Sequence, residues 1–89
     1  MKSIRLIVSG KVQGVFFRDS TKRKAQELEL KGYVRNLPDG NVEVVAEGPG
    51  EKINELINFI KNNPGHSRVE NVKIFDKIPE RFKSFEIKH

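Results

Sequence analysis

The chain has 89 residues, 36% of them hydrophobic and 33% charged, the composition of a soluble globular domain and too little chain for two separate cores. It holds no cysteine and two isolated histidines, which excludes a disulfide scaffold and a thiol nucleophile and argues against a structural zinc site. With 17 Lys and Arg against 12 Asp and Glu, its net charge of +5 favours an approaching anion, be it nucleic acid, a phosphorylated metabolite or an acidic surface.

We expect one domain over residues 1–89, monomeric and cytoplasmic. The opening MKSIRLIVSG lacks the layout of a secretory leader, and no apolar run approaches the length of a membrane span. Ile4, Leu6 and Val8 alternate with Arg5, Ile7 and Ser9, predicting a first strand with one well-buried face. A glycine-bounded segment, Gly10 to Gly14, follows. Phe17, Thr21, Ala25 and Leu28 then recur at helical spacing, and lysines and glutamates fill the gaps between them. Tyr33 and Val34 read as a second strand, which Pro38, Asp39 and Gly40 turn into a third through Val42, Val44 and Ala46. After Gly48, Pro49 and Gly50, the residues Ile53, Leu56, Ile57 and Ile60 give the clearest amphipathic helix, and Pro64 and Gly65 follow its end. Val69, Val72 and Ile74 suggest a fourth strand, and Phe85 and Ile87 a short fifth.

This order predicts an α+β fold, a ferredoxin-like split βαβ sandwich with two helices on one face of a four- to five-stranded, mainly antiparallel sheet. Right-handed crossovers place the third strand between the first two, and the first between the third and fourth. The loop after strand one and the end of strand two therefore emerge at the same sheet edge, about 10 Å apart.

That edge receives the two most suggestive segments. In GKVQGVFFR, Gly10 to Arg18, glycines allow the backbone to curl so that successive amides and the first helical turn bind an anion, with Arg18 as a forked, permanently charged clamp. Taken alone, such a loop is more often a structural turn with a solvated Arg. It is not a P-loop, because Val12 follows Gly10 and Lys11. In GYVRNLPDGNV, Asn36 ends the second strand with an amide able to donate and accept at once; alone, it reads more readily as a turn residue. Asp19 suits the helix start better than catalysis. His66 in a turn and His89 at position 89 suggest no role; Phe75, Phe82 and Phe85 read as packing of the last strands, and Lys22, Arg23 and Lys24 as a solvated helix face.

The motifs Gly10-x-Val12-Gln13-Gly14-Val15-x-Phe17-Arg18 and Gly32-Tyr33-Val34-Arg35-Asn36, followed by Gly40, Val42 and Gly48, resemble those of the acylphosphatases over essentially the whole chain. The resemblance implies hydrolysis of small acyl phosphates to carboxylate and inorganic phosphate, without metal or cofactor. It also implies that the amides of Gly14, Val15, Phe16, Phe17 and Arg18 bind phosphoryl oxygens, that Arg18 neutralises their charge and that Asn36 orients water. Phe16 departs from the glycine common at its position, and Glu29 from a glycine that often ends the first helix. Two other readings are an RNA-binding module, whose motif fails at Val34, Arg35 and Asn36, and an anion-binding domain without turnover. No nucleic-acid or membrane partner is expected.

Overall fold

Alternation at period two over residues 2–11 and helical spacing after Phe17 set the architecture of the computed structural model, which describes residues 1–89. Its elements are β1 (Lys2–Lys11), α1 (Phe17–Glu27), β2 (Lys31–Asn36), β3 (Val42–Gly48), α2 (Gly50–Lys61), β4 (Arg68–Asp76) and β5 (Phe85–Lys88). The five strands form one sheet in the order β4-β1-β3-β2-β5. All pairings are antiparallel except that of β2 with β5.

The core lies between the helices and one sheet face. Ile4, Leu6 and Val8 from β1, Val42, Val44 and Ala46 from β3, and Ile53, Leu56 and Ile60 from α2 are buried there, each large aliphatic contributing about 1.5–3 kcal/mol. Val69 and Val72 both reach this core although they are three residues apart, a spacing that plain alternation forbids. A bulge resolves the conflict: Ser9 pairs with Asn71 and Gly10 with Val69, leaving Glu70 as an extra residue. Gly10 takes φ 124° beside it, and a Cβ there would lie 2.2 Å from the Arg68 carbonyl oxygen, so no side chain is accommodated.

The opposite sheet face differs from a simple solvated surface. β3 is buried on both sides: residues 80–82 fold back over Glu47, and Arg5 and Arg35 reach over Glu43. The Glu47 carboxylate accepts the Ser3 hydroxyl at 3.1 Å and the amides of Glu80, Arg81 and Phe82 at 2.6, 2.9 and 3.2 Å. Glu43 is gripped by Arg5 Nε at 2.5 Å and Arg35 Nε at 2.6 Å. Of the three aromatics read as packing, Phe85 is buried and Phe82 meets the Tyr33 ring edge-on at 5.7 Å. Phe75 instead lies exposed beneath the Arg5 guanidinium, since β4 is an edge strand with no neighbour to cover it.

Burial alone would raise both glutamate carboxyls, but the amides around Glu47 and the two arginines around Glu43 outweigh it and hold both below the ordinary range. Each then binds fewer protons folded than unfolded. Their stability is present above the unfolded carboxylate pKa of about 4.3 and is lost as pH falls through the depressed folded values. We expect Glu47→Gln to cost about 2 kcal/mol near neutrality and to flatten the acid limb of a Tm-against-pH profile. An unchanged acid limb would show that Glu47 does not carry this dependence.

Helix α1 ends in paired Leu30-to-Ala25 and Glu29-to-Gln26 backbone bonds, the pattern of a Schellman cap. The left-handed position, φ 59°, is held by Glu29, where a Cβ is strained. Glu29→Gly is expected to stabilise the fold by about 0.5–1 kcal/mol, the relieved strain exceeding the added freedom of the unfolded chain. Urea denaturation with an unchanged slope would register it as a raised midpoint.

Candidate active site

The loop between β1 and α1 is bent by two left-handed residues, Gly14 at φ 73° and Phe16 at φ 64°. Glycine takes such angles freely; Phe16 is held there by its surroundings. The turn after α2 buttresses the loop, with the His66 amide donating to the Val15 carbonyl at 2.9 Å and the His66 ring edge-on to Phe16 at 5.8 Å. Alternating handedness makes a concave row of amides. Helix α1 starts behind this row without a side-chain cap, and no amide from Gly14 to Arg18 donates to a backbone carbonyl. Five amides are thus left without a backbone acceptor beside the positive end of the helix dipole, an arrangement suited to an anion.

Arg18 stands at the rim. It pairs with no carboxylate, and its side-chain contact is Nη1 to the His89 Nδ1 at 3.5 Å. A guanidinium unencumbered by an internal partner keeps its fork for a ligand.

Asn36 ends β2 on the helix side of the sheet, in alternation with Gly32 and Val34. Both Val8 of β1 and Asn36 of β2 pair with Val42 of β3, so they stand level, two strand spacings or about 10 Å apart. The Asn36 Oδ1 is buried with no hydrogen-bond partner within the chain. A buried acceptor left open is costly, and the natural occupant of such a position is a water or a ligand donor.

A cavity of about 460 Å³ opens beside the loop, lined by Val12, Gly14, Phe16, Phe17, Arg18, Asp19, Ile87 and His89. Of the sequence-predicted residues, Gly14, Phe16, Phe17 and Arg18 meet there. Val15 is buried behind the wall, its carbonyl committed to His66, and Asn36 lies outside the lining. Asp19 sits in the first turn of α1 as a wall residue and caps nothing.

His89, for which the sequence suggested no role, lines this cavity beside Arg18. The parallel pairing of β5 with β2, Val34 with Ile87 and Arg35 with Lys88, sets residue 89 level with Asn36. The period-two run Phe85, Ile87, His89 on one face was the available signal; the pairing of β5 with β2 was not visible in so short a run.

On the opposite face Tyr33 is packed by Phe82 and carries the Lys88 ammonium 4.0 Å from its ring centre, while Phe75 stays exposed beside Arg5. No helix is long and apolar enough to cross a membrane.

Comparison with known proteins agrees with this fold. The acylphosphatase family model matches residues 4–87. An acylphosphatase of Rubrobacter xylanophilus is 52% identical over 73 residues, 82% of this chain and 66% of that relative. The crystal structure of acylphosphatase from Bacillus subtilis superposes with TM-score 0.96 at 34% identity over 100% of both chains. An acylphosphatase structure from Coxiella burnetii gives 0.92 at 41% identity, covering 98% of this chain and 92% of that one.

Proposed function

From the premise that the chain belongs to the acylphosphatase family, we propose that the loop ending in Arg18, with Asn36, hydrolyses the carboxyl–phosphate bond of a small acyl phosphate. The observation that carries this reading is the row of unbonded amides from Gly14 to Arg18, closed by a guanidinium that has no carboxylate partner.

The phosphoryl oxygens occupy the amide row and the Arg18 fork, which neutralise their charge and favour the still more charge-dispersed transition state. Asn36 holds a water through its open Oδ1 and its amide N–H, in line with the departing oxygen. Water oxygen bonds to phosphorus as the phosphorus–acyl oxygen bond breaks, and the carboxylate leaves with that electron pair. The water proton goes to a phosphoryl oxygen, and inorganic phosphate is released. A carboxylate is a good leaving group, so positioning and charge stabilisation suffice. Asp19 and His89 stand on the wall without an assigned proton transfer. Monomeric, cytoplasmic action belongs to the same proposal and rests on the sequence alone.

The test is hydrolysis of benzoyl phosphate by the wild-type protein with a chelator present, and competitive inhibition by inorganic phosphate. Turnover with such inhibition is expected. Binding of phosphate without turnover would leave an anion-binding domain and refute the enzymatic mechanism.

A further inference from the structure

The two halves of the site lie on separate strands with β3 between them, yet catalysis needs the anion cradle and Asn36 in fixed relation. One side chain spans them. The Gln13 Nε2 donates to the Leu37 carbonyl at 2.8 Å and to the Asn41 carbonyl at 2.8 Å. Gln13 immediately precedes Gly14, the first residue of the amide row, and Leu37 immediately follows Asn36.

The acceptors are themselves fixed. Leu37 N–H donates to the Asn41 carbonyl at 2.9 Å and Gly40 N–H to the Leu37 carbonyl at 3.2 Å, closing the β2–β3 turn that carries both. The Asp39 carboxylate further holds the Asn41 amide at 3.0 Å. A primary amide has two N–H donors on one nitrogen, and Gln13 uses both on a single rigid turn. Each bond therefore fixes direction as well as distance. No other side-chain hydrogen bond joins the segment 12–16 to the segment 36–41.

We propose that Gln13 is a positioning residue: by bridging to Leu37 and Asn41 it sets the cradle's distance and angle to Asn36, and hence the line of attack of the water on the bound phosphoryl group. This rests on the proposed roles of the cradle and Asn36. Gln13 touches neither substrate nor water in this account, so its removal acts on alignment and spares phosphate binding. The chemistry also predicts which replacement is worst. A glutamate at position 13 has nearly the same shape but sets a carboxylate against two carbonyl oxygens, pushing the loop away from the turn.

The experiment compares wild type, Gln13→Ala, Gln13→Met, Gln13→Glu, Asn36→Ala and the Gln13→Ala/Asn36→Ala double variant, using benzoyl phosphate and the inhibition constant of inorganic phosphate. Gln13→Ala and Gln13→Met are expected to lower kcat by about 10-fold or more, as small misplacements do, with phosphate inhibition changed less than about 3-fold. Gln13→Glu is expected to fall further. In the Asn36→Ala background the Gln13→Ala change is expected to lower kcat by less than about 3-fold, because the two act on one alignment. If Asn36→Ala loses activity while both Gln13→Ala and Gln13→Met keep wild-type kcat, the bridge is overturned and the Asn36 reading stands. If Asn36→Ala remains fully active, that underlying reading fails, and this proposal with it. Equal losses of Gln13→Ala in both backgrounds, or unfolding of both the Ala and Met variants by circular dichroism, would assign Gln13 to the fold and overturn its positioning role.

Discussion

Arg18→Ala is expected to lower kcat/KM for benzoyl phosphate by about 100- to 1,000-fold, the scale of losing a transition-state donor, with little change in Tm. Both halves of that expectation come from the same environment. Arg18 makes no ion pair within the chain, and its one side-chain hydrogen bond is to the His89 ring at 3.5 Å, so the fold leans little on it. Its charge is instead the one fixed cation on the cavity wall, and the amide row alone must then hold a phosphoryl group. Arg18→Lys keeps the charge but loses the planar fork, and should recover only part of the rate. Steady-state kinetics together with the phosphate inhibition constant decide the matter. Near-wild-type turnover by Arg18→Ala would remove Arg18 from the mechanism.

For Asn36→Ala we expect kcat to drop about 100-fold with KM nearly unchanged, because in the proposed mechanism its amide acts on the water and leaves the phosphate contacts alone. The stability of this variant is expected to stay near that of wild type. No group of the chain donates to the Asn36 Oδ1, so truncation breaks no hydrogen bond within the fold at that atom. A kcat within a few-fold of wild type, or a rise in KM accounting for the whole loss, would contradict the water-orienting role.

Much of this could be read from the chain itself. Ile4, Leu6 and Val8 alternate into the core and Ile53, Leu56 and Ile60 face it at helical spacing, as their patterns required. Strand order then followed from handedness, and with it the shared edge of the loop after β1 and the end of β2. What escaped depends on contacts distant in sequence. Glu43 and Glu47 alternate with the core-facing Val42, Val44 and Ala46 as if solvated, but are buried by partners from residues 3, 5, 35 and 80–82. No local pattern announces such a second layer. His89 joined the site through a four-residue strand whose parallel partner lies some fifty positions earlier, and Val69 and Val72 shared a face only because of a bulge. Gln13 was visible as a motif letter, while its hydrogen bonds emerged only with the Leu37 and Asn41 carbonyls in place.

That bulge has a further consequence for the chain in a crowded solution. β4 is nine residues long and borders the sheet, with Ile74 and Phe75 exposed along it. A straight strand of that kind would present an unbroken ladder of free backbone groups, a template on which another copy could nucleate a cross-β stack. The extra residue at Glu70 breaks the ladder's phase, and Lys73 sets a charge beside the apolar pair. The kink that brings Val69 and Val72 into the core thus also serves as a gatekeeper against aggregation.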